Sequence, residues 1–228
     1  MSITISLKEG GNSVDVEIPT EWEDMTLQYW ADLSSIINKH KDRNKVKNDY
    51  IIDQHEENEQ LNELIEDISF VDEVNLNTEI FSYITGLSKE AVMGVDVEDV
   101  TKVMNLLGVL TKEYEPKGIR SFEFKGEEYY FPSENLTKNT YGDFIEATQL
   151  EMTIDSMKNG RYDVLPEQMA ILCRRIDEEY DEDLIASKTD DFKELKMDSV
   201  FEFAFFLTNQ NKKLLNLFNM YSEKGVKE

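Results

Sequence analysis

Ile3, Ile5 and Leu7 alternate with polar residues, Gly10-Gly11-Asn12 supplies turn chemistry, and Val14, Val16 and Ile18 alternate again before Pro19. Period-two alternation on both sides of a glycine turn is the pattern of a β-hairpin. The same order returns later. Phe122 and Phe124 precede Lys125-Gly126, Tyr129 and Phe131 follow, and Pro132 ends the run. Helical spacing follows the first hairpin at once and the second after a short polar loop. This order predicts an α+β chain, predominantly helical, built as two β-hairpin-plus-helices halves.

After Pro19, Thr20 with Glu23 fits a capping box, and Leu27, Trp30, Leu33 and Ile37 recur at helical spacing. Every second residue from Lys39 to Lys47 is basic, and residues 53–73 hold nine acids and no lysine or arginine. Residues 38–58 read as a charged insertion, either a loop or a helix extension, solvated rather than a docking patch. It leads into an amphipathic helix marked by Leu61, Leu64, Ile65 and Ile68. Ile80, Phe81, Ile84 and Leu87 predict a short helix ending near Gly86. Asp96 is the expected N-cap of another, striped by Val97, Val100, Val103, Met104, Leu107 and Leu110.

Pro116 and Gly118 then break the chain, which places the domains at 1–116 and 117–228. In the second, Thr140 precedes a helix carrying Phe144, Ile145, Leu150 and Ile154, closed by Asn159-Gly160. Pro166 opens the next, where its missing N–H costs nothing, with Met169, Leu172, Cys173 and Ile176 as its stripe. An acidic connector and the apolar run Val200–Leu207 follow. Val97-Glu98-Asp99-Val100 lines up with Met197-Asp198-Ser199-Val200, each opening an apolar helix. The halves are read either as an internal duplication or as two unrelated α+β pieces.

Charge narrows the function classes. With 24 basic and 48 acidic residues the net charge is −24, which repels phosphate and argues against direct nucleic-acid binding and anionic membrane surfaces. No apolar run is long enough to span a membrane, and residues 1–20 alternate unlike a signal peptide. The lone Cys173 fits a reducing compartment.

Catalytic constellations fail in turn. Both histidines, His40 and His55, fall in the charged insertion, and His55-Glu56-Glu57 lacks the second histidine of a zinc helix. Gly10-Gly11 is a turn rather than a phosphate cradle. The cluster Asp177 to Asp183 lacks the glycine and the spaced terminal glutamate of a calcium loop. The expectation is a non-enzyme with no metal and no cofactor. The candidate binding residues are Leu214, Leu217, Phe218 and Tyr221, at i, i+3, i+4 and i+7 of an amphipathic terminal helix. That face either lies in a partner's groove or folds back onto its own core.

Over residues 119–207, the hairpin 122–131 leads to Thr140-Tyr-Gly-Asp-Phe-Ile-Glu-Ala147. The helix around Met169-Ala-Ile-Leu-Cys173 and the segment Tyr180-Asp-Glu-Asp183 come next. This order resembles small acidic proteins from the assembly modules of tailed bacteriophages, and most of all tail assembly chaperones. The resemblance implies an α-rich, non-catalytic protein of the host cytoplasm that binds the tape-measure protein. Length and the apparent duplication depart from that family and leave open a structural virion protein, a connector or internal component. An acidic DNA mimic blocking a host DNA-binding protein is a further alternative, drawn from the charge. Nine methionines suit an adaptable apolar surface, and the negative charge suits solubility at high expression.

Overall fold

The computed structural model describes residues 2–9, 12–54, 59–108, 112–132, 152–153, 155–157, 159–176, 178 and 181–209. The fold is α+β and predominantly helical, with two small antiparallel two-stranded sheets among the described residues. The chain divides into two compact units. The first comprises Met1–Asp24 and Ala31–Lys112, the second Met25–Trp30 and Glu113–Glu228.

In the first unit, β1 (Ile3–Glu9) pairs with β2 (Asn12–Ile18), Ile5 opposite Val16 and Leu7 opposite Val14. Leu7, Val16 and Ile18 are buried on one face, as the alternation requires. The expected capping box at Thr20 and Glu23 is not what forms. A 3₁₀ turn, Trp22–Asp24, stands there instead, and the Asp24 carboxylate accepts from the Thr20 and Glu21 amides. Helix α1 (Leu27–Gln54) starts after Thr26, whose hydroxyl accepts from the Tyr29 amide at 3.2 Å. Thr26, not Thr20, is the N-cap.

The charged insertion resolves as helix extension, since α1 runs through the basic stretch to Gln54. Residues 55–58 lie outside the described part. Helix α2 (Glu59–Thr85) then unites two segments that the sequence reading separates, the 61–68 stripe and the supposed short helix at Ile80–Leu87. Neither glycine nor proline interrupts it. It stops at Gly86, whose φ of +70° terminates a helix at little cost only without a side chain. Short helix α3 (Lys89–Val92) is capped by Ser88, and α4 (Val97–Leu106) begins after Asp96, whose side chain makes no capping bond. α2 packs against β2, α3 and α4, and α4 against β1. Phe81, Ile84, Val103 and Leu107 are buried there. Val97 departs from its expected stripe: it is 80 % exposed.

In the second unit, β3 (Ser121–Phe124) and β4 (Glu127–Tyr130) join through Lys125-Gly126, with φ of 52° and 80°. Two consecutive positive φ values give a turn whose twist matches the strands. Tyr130 also exchanges backbone hydrogen bonds with Arg174. The expected helix from Thr140 lies outside the described residues, apart from helical positions at 152–153 and 155–157.

A 3₁₀ turn at Tyr162–Val164 leads into α5 (Leu165–Leu172), with Pro166 in its first turn. Its stripe ends sooner than expected. Cys173 is already extended, and Ile176 is exposed rather than helical core. Helix α6 (Glu182–Phe192), capped by Asp181, packs against α5, and α7 (197–209) follows. Met197 and Val97 both open helices, but Met197 is fully buried. Phe192 meets Phe122, Phe124 and Tyr129 edge-on at 5.1–5.9 Å between ring centroids, the preferred aromatic geometry. Phe131 joins Phe203 and Phe206 of α7. The amides of Leu27 and Gln28, which at a helix start have no acceptor in the preceding turn, donate to the carbonyls of Leu195 and Lys193.

Candidate functional site

The terminal candidates Leu214, Leu217, Phe218 and Tyr221 lie outside the described residues. Within them, chemistry gathers in three places, each inside one unit.

The first is a carboxylate in an apolar helix. Glu202 on α7 is 1 % exposed, between the core residues Val200 and Phe203. Its Oε1 accepts from the Tyr114 hydroxyl at 2.9 Å and from the Lys117 amide. Its Oε2 accepts from the amides of Gly118 at 2.9 Å and Ile119 at 3.2 Å. Gly118, at φ +74°, turns the backbone so that successive N–H groups converge on one anion. Tyr114 stacks on Phe201 at 5.3 Å. The arrangement fixes the strand entering the second hairpin. Every acceptor direction named here is taken by the protein itself, so this carboxylate is a structural anchor.

The second is a buried ion pair. Lys188 Nζ on α6 donates to Glu178 at 2.6 Å and to the Cys173 carbonyl at 2.8 Å, over the rings of Tyr129 and Phe192. The Arg175 amide and Nε donate to the other Glu178 oxygen at 3.0 and 3.1 Å. Burial opposes ionisation of Glu178, but the bonds from Lys188 and Arg175 outweigh it and hold its carboxyl below the ordinary value. The acidic connector is thus not wholly solvated. Cys173 is fully buried, and burial pushes its thiol far up, with Lys188 opposing, which makes it a poor nucleophile.

The third lies in the first unit. His40 is buried on α1, with Nε2 3.0 Å from Glu79 of α2, and Glu79 also pairs with Lys89. The bonds from Lys89 and then His40 hold the Glu79 carboxyl low. With Tyr83 donating to Asp32 at 3.0 Å, this pair ties α1 to α2 side by side. Sequence reading missed His40 as a cross-helix tie, although its i+3 spacing from Ile37 was the available signal.

Apolar groups facing water are the remaining feature. Phe70, Val71 and Val74 form one cluster on α2, at 66, 56 and 41 % exposure. Met93 and Val97 stand exposed on either side of the turn between α3 and α4. No group of three or more metal-ligating side chains occurs among the described residues, and no helix among them is long and apolar enough to cross a membrane. No protein-family model, curated protein or solved structure matches the chain.

Proposed function

We propose that this chain is a non-catalytic assembly factor of a tailed bacteriophage, acting by protein–protein contact in the host cytoplasm in the manner of a tail assembly chaperone. The observation that carries the docking part of this reading is the Phe70, Val71 and Val74 cluster. Three large apolar side chains within about one helical turn stay in water on a regular helix, where burial of each would stabilise by about 1.5 kcal/mol or more. The phage assignment draws on the resemblance over residues 119–207. The titratable groups with the most developed surroundings, Glu202, Glu178 with Lys188, and His40 with Glu79, spend their hydrogen bonds on holding the fold.

The test is purification from infected cells. The expected result is co-purification with a long helical phage structural protein, the tape-measure protein first among candidates, and absence from finished particles. Presence in purified virions would move the reading to a connector or internal component. Changing Leu217 and Phe218 together to serine tests the terminal helix as a second contact: loss of the partner by a variant that still folds assigns it a share of the binding. Retention of the partner by that variant removes the terminal helix as the contact.

A further inference from the structure

The α2 cluster also indicates what covers it. On a helix advancing about 100° per residue, Asp72, Glu79 and Tyr83 share one face. That face is turned to α1, since Glu79 reaches His40 and Tyr83 reaches Asp32. Phe70 and Val74 lie on the opposite side, with Val71 at its flank. Phe81, about three turns beyond Phe70 on that same side, is fully buried. Asn77 and Thr78 fall on that side between Val74 and Phe81, so the exposed cluster is an apolar patch of its own, separate from the packed C-terminal end of α2.

Charge distinguishes the possible occupants. Over Glu59–Thr85, α2 carries seven acids and no lysine or arginine, and Glu73 is exposed within the cluster. A second copy using the same stripe would set two such helices side by side, in chains each bearing −24. Like charges at that separation oppose association. An apolar face flanked by lysine or arginine meets both features of α2 at once.

We propose that the Phe70, Val71 and Val74 face of α2 is a docking site for a basic amphipathic helix of a partner protein. This inference rests on the docking reading above and adds the chemistry of the partner.

The experiment uses the full chain and a synthetic amphipathic Leu/Lys helix of about 18 residues, long enough for roughly five turns. Its controls are the same peptide with Glu in place of Lys, and a scrambled Leu/Lys peptide without an apolar face. Binding is followed by fluorescence anisotropy and mapped by hydrogen exchange. The Leu/Lys helix should bind and protect residues 70–78, and the Leu/Glu helix should not bind. The pair of changes Phe70→Ser and Val74→Ser should weaken binding by about tenfold or more without lowering the melting temperature, whereas Met93→Ser should leave binding unchanged.

Equal binding of the scrambled peptide, protection elsewhere, or unchanged affinity in the double variant would overturn the proposal. So would a parent dimer in sedimentation equilibrium that the double variant converts to monomer, because the occupant would then be a second copy. A phage client retained by the Phe70→Ser/Val74→Ser variant sinks this inference alone. Peptide docking on α2 with no phage client sinks the assembly reading alone.

Discussion

Replacing Glu202 with alanine should cost about 3 kcal/mol of stability, the combined loss of charge-assisted bonds and of partners for buried donors. Three amides and the Tyr114 hydroxyl converge on that carboxylate at a site that water hardly reaches. Alanine removes the acceptor and leaves the donors where they are. Glutamine keeps the volume but turns an NH₂ towards N–H groups, so about half the loss should remain. Urea unfolding measures the totals. Hydrogen exchange at Lys117, Gly118 and Ile119 localises them, because those amides should exchange much faster in both variants. A loss below about 1 kcal/mol for alanine, with these amides still protected, would show that Glu202 is not the anchor of this strand.

Lys188→Met should be about as damaging at neutral pH, about 3 kcal/mol, because it leaves the buried Glu178 with only Arg175 as a cation, takes the donor from one of its oxygens and leaves the Cys173 carbonyl without its donor. The effect has a defined pH dependence. The Glu178 carboxyl is held below its ordinary 4.5 in the folded protein. Its contribution is therefore present above that value and fades as pH falls through the lower, folded-state pKa. The difference between parent and variant should shrink as the solution is acidified through that range, and a gap that stays constant or widens would contradict the pairing. Adding Glu178→Leu to Lys188→Met should restore part of the stability, since the buried carboxylate that lost its lysine goes with it while the Arg175 bonds are given up.

The hairpins and their turns were legible because they rest on local chemistry. Lys125-Gly126 needs two positive φ values, and Pro166 tolerates the first helical turn wherever the rest of the chain goes. The long helices were harder. A basic residue at every second position follows no helical face, yet nothing in Lys39–Lys47 forbids a helix, and α1 passes through it. Thr20 and Glu23 have the spacing of a capping box, but Asp24 is the residue bonded to the amides and Thr26 caps α1.

Val97 fits its periodic stripe in the sequence and only tertiary packing leaves it exposed, whereas Ile176 falls past the end of α5, where the helical period no longer applies. The exposed cluster on α2 was equally hidden, because Phe70, Val71 and Val74 read like any buried turn. Glu202 did leave a signal: it is the single charged residue in Val200–Leu207. A lone carboxylate in such a run must find donors, and its partners lie over 80 residues away in sequence.

That separation in sequence recurs where α1 begins. The amides of Leu27 and Gln28 wait for the carbonyls of Leu195 and Lys193, and the amide of Met197 closes onto the carbonyl of Met25. On the ribosome, residues made among the first thirty must stay uncommitted until nearly the whole second unit has been translated. Pairing across such a span is slow, because the entropy of closing the loop is lost before any contact offsets it. Synthesis halted at Lys112 would leave Met25–Trp30 without their partners, and a protease cut between the units would not release two contiguous, self-sufficient fragments.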